Sequence, residues 1–208
     1  MLAYAKIQSI YKRDEKTYKF IEGKFSLPEF EYLKDNIWVF TEKINGTNIR
    51  VIWDGMEKVE FRGRTDKAQI STFLLDKLKE MFPIGRFRGA TTQYLPPLCL
   101  YGEGYGARIQ KGGGKYIPDG ISFILFDVKI DKWWLKREDV EEIAKQLEID
   151  AVPIMGEGTL DDAIQMIKKG VESTFGDFLA EGLVLKPKID LLARSGHRII
   201  TKIKHSDF

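Results

Sequence analysis

Cysteine and histidine are scarce in this sequence, which has one cysteine, Cys99, and 2 histidines in 208 residues. A lone thiol cannot form an internal disulfide, so we expect a reducing compartment. Cys99 lies inside the apolar run Leu98–Tyr101 and is interpreted as a core residue. Neither histidine is near it in sequence, which argues against a catalytic cysteine. A chain of this length can bury most of its apolar surface without cross-links, and we expect one domain over residues 1–208.

Long apolar runs are also missing. No stretch approaches the roughly 20 residues of a membrane-spanning helix, and the N-terminal residues lack the apolar run of a signal peptide. The sequence therefore predicts a cytoplasmic protein.

Neither sign of charge is in excess, since 33 lysines and arginines stand against 31 aspartates and glutamates, a net charge of +2. The acids are concentrated at residues 138–148 and 157–162, which we interpret as solvated helix faces. The remainder is distinctly basic. The charge balance therefore neither requires nor excludes a nucleic-acid partner.

Short apolar runs separated by turn residues predict many strands and few helices. Strands are predicted at residues 38–43, 48–53, 59–62, 98–103, 121–130, 182–186 and 198–204. Helices are predicted at residues 71–81, 137–147 and 159–169. The strongest breakers, Pro96-Pro97 and Gly112–Gly114, predict surface loops. Strands in meandering groups with a few helices indicate an α+β fold built on antiparallel sheets.

Lys43 stands where a predicted strand runs into the tight turn Asn45-Gly46. An amine at the end of a strand projects into solvent or a cleft. It becomes a nucleophile where neighbouring cations or desolvation lower its pKa. By itself the segment fits an ordinary solvated hairpin lysine equally well.

Three further segments carry residues suited to a nucleotide. Arg64 has a planar fork that can clamp a phosphate. Glu103 is flanked by glycines that allow close approach, and its carboxylate can accept hydrogen bonds from ribose hydroxyls. Phe126 stands beside Asp127, and an aromatic ring stacked on a base contributes about 1–3 kcal/mol. Each segment alone also fits surface charge or core packing.

Lys202 and Lys204 alternate along a predicted strand, so both amines point to the same face. Two adjacent amines are costly without an anion between them, and a triphosphate would supply one. A strand edge facing solvent explains them too.

In chain order these segments resemble the motif set of the covalent nucleotidyltransferases, which comprise ATP-dependent DNA ligases, RNA ligases and mRNA capping enzymes. The resemblance covers residues 38–208. The string Glu42–Asn48 contains a Lys-x-x-Gly nucleophile motif and resembles the nick-sealing RNA ligases of phage and of kinetoplastid editing complexes. Five further segments resemble later motifs of the family: Arg64-Thr65 resembles motif Ia, Gly102-Glu103 motif III, Phe126-Asp127 motif IIIa, Glu181–Val184 motif IV and Lys202–Lys204 motif V.

The resemblance implies a ligase adenylation-domain fold with the nucleotide between antiparallel sheets flanked by helices. It also implies that Lys43 attacks the α-phosphorus of ATP, which forms lysyl-AMP and releases pyrophosphate. The AMP would then move to an RNA 5′-phosphate, and a 3′-hydroxyl would displace it.

Roles for the remaining residues are implied in the same way. Glu42 would contact the adenine edge, Phe126 its face and Glu103 the ribose. The implied catalytic residues are Lys43, Arg64, Glu181, Lys202 and Lys204. The implied nucleotide contacts are Glu42, Lys43, Ile44, Asn45, Asn48, Arg64, Glu103, Phe126, Glu181, Lys186, Lys202 and Lys204. The implied ligands of a hydrated Mg²⁺ or Mn²⁺ are Glu181 and Asp127.

Two departures from the family pattern bear on the substrate. Ligases of this type often have histidine where Asn45 stands. Neither an OB-type nor a helical C-terminal domain follows the last motif, so we expect a minimal catalytic domain or one that relies on a partner subunit. Five basic residues lie close together in sequence around the predicted strand that contains Glu103: Arg86, Arg88, Arg108, Lys111 and Lys115. They fit either a surface that contacts polynucleotide phosphates or an ordinary solvated surface.

The expected substrates are RNA ends or a nicked duplex. The nearest alternative is a minimal DNA ligase with the same chemistry, and a capping guanylyltransferase is a more distant one. An alternative from another class is a non-catalytic nucleic-acid-binding module that keeps the fold. Such a module would not need all of Lys43, Glu181, Lys202 and Lys204.

Overall fold

The computed structural model describes residues 3–90 and 97–208, without the side chains of residues 89 and 90. Its described part divides into two compact units, each assembled from two stretches of chain. Unit 1 comprises Met1–Ala5 and Asn45–Val152, and unit 2 comprises Lys6–Ile44 and Pro153–Phe208. The expectation of a single domain stays a prediction.

The elements are named here in chain order. The described strands are β1 Gln8–Ser9, β2 Tyr11–Arg13, β3 Phe20–Phe25, β4 Trp38–Glu42, β5 Thr47–Trp53, β6 Val59–Gly63, β7 Leu98–Gly106, β8 Ile121–Ile130, β9 Trp133–Trp134, β10 Asp150–Ala151, β11 Ile154–Gly158, β12 Gly182–Pro187 and β13 Thr201–Lys204. The described α-helices are α1 Pro28–Tyr32, α2 Thr72–Met81, α3 Ile84–Ala90, α4 Arg137–Gln146 and α5 Leu160–Lys169. Short 3₁₀ turns cover Gly113–Lys115 and His205–Asp207.

Unit 1 is built on one sheet in the order β10-β8-β7-β5-β6, with β9 paired to β8. The pairs formed by β5 with β6, by β5 with β7 and by β7 with β8 are antiparallel. One face of the sheet carries apolar residues such as Ile49, Val51 and Leu100, which pack with buried side chains of α2 and α4. Because side chains alternate along a strand, Asn48, Arg50 and the other residues between them point to the opposite face.

Unit 2 contains a second sheet in the order β1-β13-β12-β4-β11 and a separate hairpin of β2 and β3. Trp38 and Phe40 of β4 pack in one cluster with Leu160 and Ile164 of α5. The helix α5 begins with a capping box, in which Thr159 accepts from the Asp162 N–H and Asp162 accepts from the Thr159 N–H. The buried stripe of α5 therefore faces the sheet.

The predicted α+β class with antiparallel sheets is confirmed, and each predicted strand and helix is found to within a few residues. One end is wrong: the last predicted strand begins at Thr201, because Arg198 instead forms an isolated bridge with Leu192. The loop at Gly112–Gly114 includes a 3₁₀ turn. Pro96 lies outside the described residues.

In the described part of the chain, no helix is long and apolar enough to cross a membrane. The cytoplasmic location stays a prediction.

Candidate active site

Lys43 immediately follows β4 in unit 2, and strand pairing brings it to Glu181. β12 runs antiparallel to β4 with Leu183 opposite Glu42, and the Lys43 N–H donates to the Gly182 carbonyl at 2.9 Å. The Lys43 Nζ donates to the Glu181 Oε2 at 2.5 Å. The predicted nucleophile and the predicted motif IV carboxylate are therefore neighbours, although they are far apart in sequence.

The neighbouring strand β13 adds the two remaining lysines. Gly182 lies opposite Lys204 and Val184 opposite Lys202, and both lysines point to one sheet face because the intervening Ile203 is buried in the core. The Lys204 Nζ forms an ion pair with the Glu181 Oε1 at 2.5 Å. Each oxygen of Glu181 thus accepts from a different ammonium.

Glycine is required after Glu181 because β13 approaches very closely. A Cβ atom at Gly182 would lie 2.1 Å from the Ile203 carbonyl oxygen and 2.8 Å from the Lys204 Cα. A side chain at this position would push β13 away and separate Lys204 from Glu181. The Glu-Gly dipeptide of this motif is thus explained by packing.

Lys202 is half-buried on the same face, and burial lowers its pKa from the ordinary lysine value. The charges of Lys43, Lys204 and Lys6 lower the pKa further, while Glu181 opposes them. One carboxylate does not balance these cations. The cluster of Lys43, Glu181, Lys202 and Lys204, called the lysine cluster below, is therefore suited to a phosphate anion.

Two other predicted contacts in unit 2 lie on β12 and at the turn. Lys186 shares a face of β12 with Gly182 and Val184, opposite Val39 of β4. Ile44 is buried, so its backbone is what it can offer a nucleotide.

Glu42 is 1% exposed and is held by a segment that sequence analysis missed. Its Oε1 accepts from the Ser173 hydroxyl at 2.6 Å. Its Oε2 accepts from the Thr174 N–H at 3.0 Å and from the Thr174 hydroxyl at 2.8 Å. A carboxylate offers about four acceptor positions, so these three donors leave room for one more. No sequence signal connects Glu42 to Ser173 and Thr174, which lie 131 and 132 positions further along the chain.

In unit 1 the turn Asn45-Gly46 packs against β7. A Cβ atom at Gly46 would lie 2.2 Å from the Gly104 carbonyl oxygen and 2.8 Å from the Glu103 Cγ. The glycine of the Lys-x-x-Gly motif is therefore required by a close approach of backbone.

Asn48 lies opposite Glu103 on the paired strands β5 and β7, so both predicted contacts share a sheet face. Among the described residues, no donor reaches the buried Asn48 Oδ1. A buried acceptor of this kind is costly unless a partner satisfies it. It fits a ligand that carries hydroxyl or amino donors, such as a nucleoside.

A β-bulge places Phe126 and Asp127 on one face, although consecutive strand residues normally point to opposite faces. Tyr101 lies opposite Asp127 and Gly102 opposite Leu125, which leaves Phe126 as the extra residue. Tyr4 contacts both residues of the pair. Its ring makes an edge-to-face contact with the Phe126 ring at a centroid distance of 5.1 Å, and its hydroxyl donates to the Asp127 Oδ2 at 2.5 Å. Sequence analysis missed Tyr4, since an isolated tyrosine near the N-terminus carries no signal.

Arg64 is exposed on the turn after β6, and a buried arginine supports that turn. The Arg50 Nε donates to the Gly63 carbonyl at 2.8 Å, and its Nη2 donates to Asp66 at 2.8 Å. Hydrogen bonds from Arg50 and then Arg62 lower the pKa of Asp66. Arg62 is thus held by carboxylates, whereas Arg64 makes no ion pair with any described residue.

The described residues contain no group of three or more metal-ligating side chains. The predicted metal ligands Glu181 and Asp127 belong to different units. Mg²⁺ commonly binds through one or two carboxylates, keeps several waters and takes further oxygens from substrate phosphates. A single carboxylate beside a phosphate-binding cluster, as at Glu181, therefore fits a hydrated ion.

The site in unit 2 is therefore a lysine at a strand end that donates to a carboxylate, and a second lysine pairs with the same carboxylate. The fold matches solved structures, among them several of Naegleria gruberi RNA ligase. A lysine-to-alanine variant with ATP and Mn is 19% identical at a TM-score of 0.71, covering 99% of this chain and 56% of that one. The enzyme with PPi is 20% identical at a TM-score of 0.70, and the match covers 99% of this chain and 56% of that one. A lysine-to-methionine variant with AMP and Mn is 19% identical at 0.69, covering 100% and 59%.

The chain belongs to the RNA ligase family, whose family model matches residues 36–204. It spans somewhat more than half the length of the solved structures that it matches. Comparison with curated protein sequences gives no significant match.

Proposed function

We propose that the chain is an ATP-dependent RNA ligase that joins 5′-phosphate and 3′-hydroxyl ends through a lysyl-AMP intermediate on Lys43. The observation that carries the proposal is the lysine cluster, in which Glu181 accepts from both Lys43 and Lys204 at 2.5 Å. The family and the ATP- and AMP-bound structures of its relative support the same chemistry. The proposed substrates are RNA ends or a nicked duplex.

The first step forms a bond between the Lys43 Nζ and the α-phosphorus of ATP and breaks the bond from that phosphorus to the bridging oxygen of pyrophosphate. Lys43 must attack as the neutral amine. The Glu181 carboxylate accepts a hydrogen bond from Nζ, which puts it in position to take the proton.

Lys202 and Lys204 stabilise the charge that develops on the α-phosphate in the transition state. Both are fixed on β13 before reaction, so little reorganisation is needed. Lys186 and Arg64 are proposed as further phosphate contacts. A bound Mg²⁺ or Mn²⁺ would neutralise phosphate charge, with Glu181 as its proposed protein ligand in unit 2. The same role for Asp127 in unit 1 stays a prediction.

The proposed nucleoside contacts are Glu103, Asn48, Phe126 and Glu42. Glu103 and Asn48 would bind the ribose, and the unpaired Asn48 Oδ1 supports such a donor. Phe126 would stack on the adenine, and Glu42 would accept from its edge through the remaining acceptor position.

The first test is intact-mass spectrometry after incubation with ATP and Mg²⁺, on protein first checked for AMP already attached. We expect the mass of one AMP on the wild type and none on Lys43→Ala or Lys43→Arg, the second of which keeps the charge beside Glu181. Lys168→Ala is the matched control, because it removes another lysine paired with a glutamate, at 2.6 Å. No adduct on folded wild-type protein would overturn the proposal.

A second candidate is a minimal DNA ligase with the same first step. Sealing of matched nicked duplexes with RNA or DNA at the nick distinguishes the two. Faster sealing of RNA is expected, and sealing of DNA alone would favour the alternative.

A further inference from the structure

A second set of cations belongs to unit 1, on the loop that joins β7 to β8. Residues 107–117 of that connection, called the basic loop below, carry Arg108, Lys111 and Lys115, all exposed. The one acid between β7 and β8 in the sequence is Asp119, which follows them. Like charges on a short loop repel one another, so the loop is more stable beside an anion.

The other two members of the expected basic patch are already engaged. Arg86 donates to the carbonyls of Met81 at 2.9 Å and Leu147 at 3.1 Å, and Arg88 pairs with Glu57. In contrast, Arg108 and Lys111 form no ion pair within the described ranges. Of the five residues expected to form a basic patch, we therefore keep only the three on the basic loop as candidate phosphate contacts.

Two hydrogen bonds tie the basic loop to the turn that follows Lys43 in sequence. The Asn45 N–H donates to the Tyr116 hydroxyl at 3.2 Å, and the Asn45 Nδ2 donates to the Lys111 carbonyl at 3.3 Å. The loop also folds back on its own start, since a Cβ atom at Gly113 would lie 2.0 Å from the Gly106 carbonyl oxygen. Its cations are thus held next to the turn Asn45-Gly46.

We propose that the basic loop contacts the phosphodiester backbone of the RNA strand and that Asn45 fixes its position. The proposal rests on the proposed function for the identity of the polynucleotide. The loop offers three exposed cations, and its one aromatic ring, Tyr116, is partly buried against Tyr105. Such a surface contacts phosphates and does not read bases, so its contribution is independent of RNA sequence and weakened by salt.

The test compares two triple variants that lose the same charge. Arg108→Gln/Lys111→Gln/Lys115→Gln changes the loop, and the matched control Lys132→Gln/Lys136→Gln/Lys145→Gln changes exposed lysines elsewhere in unit 1. Binding of a 5′-phosphorylated, fluorescently labelled single-stranded RNA is followed by anisotropy at several salt concentrations. The slope of log K against log salt should fall in magnitude by about 2 for the loop variant, at about 0.7 per lost contact to a single strand. It should stay at the wild-type value for the control.

Self-adenylylation without RNA is measured on the same proteins and should be unchanged in the loop variant. A slope equal to the control's would overturn the proposal. Slower adenylylation with an unchanged RNA slope would do so as well, because the loop would then bind the triphosphate of ATP. The RNA-binding measurement needs no catalysis. Wild-type protein that forms no AMP adduct but shows the expected slopes would therefore refute the proposed function alone.

Tyr116→Phe tests the hydrogen bond that holds the basic loop to Asn45. It keeps all three charges of the loop and removes the hydroxyl that accepts from the Asn45 N–H. The salt slope should stay unchanged, while transfer of AMP from the enzyme to the RNA 5′-phosphate slows several-fold because the strand is held less well. A wild-type transfer rate in this variant would show that the hydrogen bond from Asn45 to Tyr116 does not position the loop.

Discussion

Glu181 illustrates at the scale of single residues how a folded protein can hold several cations together. Each of its oxygens accepts from one ammonium, from Lys43 and from Lys204. Lys202 stands beside them, half-buried and without a carboxylate partner among the described contacts, and burial lowers its pKa. A half-buried ammonium beside two others lowers the stability of the fold unless an anion binds. Such a loss of stability is common at sites that carry out chemistry.

The pKa of Lys202 leads to a prediction about stability and pH. A lysine whose folded-state pKa lies below its unfolded value destabilises the fold while it is charged in both states. Stability then rises with pH between the folded and the unfolded pKa, because the unfolded chain binds more protons there. Lys202→Gln should therefore raise the free energy of unfolding at pH 7. That gain should shrink as the pH rises towards 10.5, the ordinary lysine value.

Urea denaturation at a series of pH values measures this difference. Lys12→Gln, at an exposed position of β2, removes the same charge and should show little change. If Lys202→Gln is less stable than wild type at pH 7, burial of the ammonium is not a cost. Self-adenylylation should fall in the same variant, so stability and activity move in opposite directions.

The buried carboxylate of Glu42 gives a second prediction at this scale. Ser173→Ala removes the donor that Oε1 has among the described residues and leaves that oxygen unsatisfied. An unsatisfied buried acceptor costs about 1–3 kcal/mol, and we expect that loss in the free energy of unfolding. Ser195→Ala, on an exposed segment, is the matched control.

A double-mutant cycle with Glu42→Gln separates this interaction from general packing. The coupling energy between residues 42 and 173 should be clearly non-zero. If the losses in the two single variants simply add, the hydrogen bond does not stabilise Glu42. We also expect Ser173→Ala to need more ATP for adenylylation, because Glu42 is the proposed adenine contact.

At the scale of elements, the start of α5 is specified by a capping box. The Thr159 hydroxyl accepts from the Asp162 N–H, while the Asp162 carboxylate accepts from Thr159 at 2.8 Å. Thr159→Ala should lower the free energy of unfolding by about 1 kcal/mol. The helix α2 supplies the control: its N-cap residue, Ser71, makes no side-chain capping bond.

Ser71→Ala should therefore cost much less than Thr159→Ala in the same urea titration. If both variants lose the same free energy of unfolding, the hydrogen bond from the Asp162 N–H to the Thr159 hydroxyl does not stabilise α5. Because α5 packs on the sheet and not on Lys43, which follows β4, a loosened helix start should lower stability more than it lowers the rate of adenylylation.

At the scale of the whole molecule, the chain passes between the two compact units three times, after Ala5, Ile44 and Val152. Lys43→Ala cannot form the adduct, so its interaction with ATP is reversible and can be followed as a shift in melting temperature.

At a free ATP concentration 100 times Kd, binding should stabilise Lys43→Ala by about 2.7 kcal/mol. At about 2–4 °C per kcal/mol for a chain of this size, the melting temperature should rise by roughly 5–11 °C. The measurement is a thermal denaturation series in ATP and Mg²⁺. GTP and ATP with excess chelator serve as controls and should give smaller shifts. No shift at any ATP concentration would contradict ATP binding.

The sequence by itself determined the α+β class and the residues worth examining. Apolar periodicity depends only on which side chains avoid water, so β4, β5, α4 and α5 were predictable. The ordered motifs resembled those of the family, and that resemblance implied the roles of Lys43 and Glu181. Alternation along a strand predicted that Lys202 and Lys204 share a face. Such signals are local, or depend on order along the chain.

Tertiary structure decided the rest, because the deciding contacts join residues far apart in sequence. The donors to Glu42 come from Ser173 and Thr174, and Tyr4 reaches Asp127. The bulge at Phe126 overrides the alternation that a sequence pattern assumes. Gly182 is required only because another strand lies within 3 Å of where its Cβ atom would stand. Each of these features depends on the register between strands, which side-chain patterns constrain but do not specify.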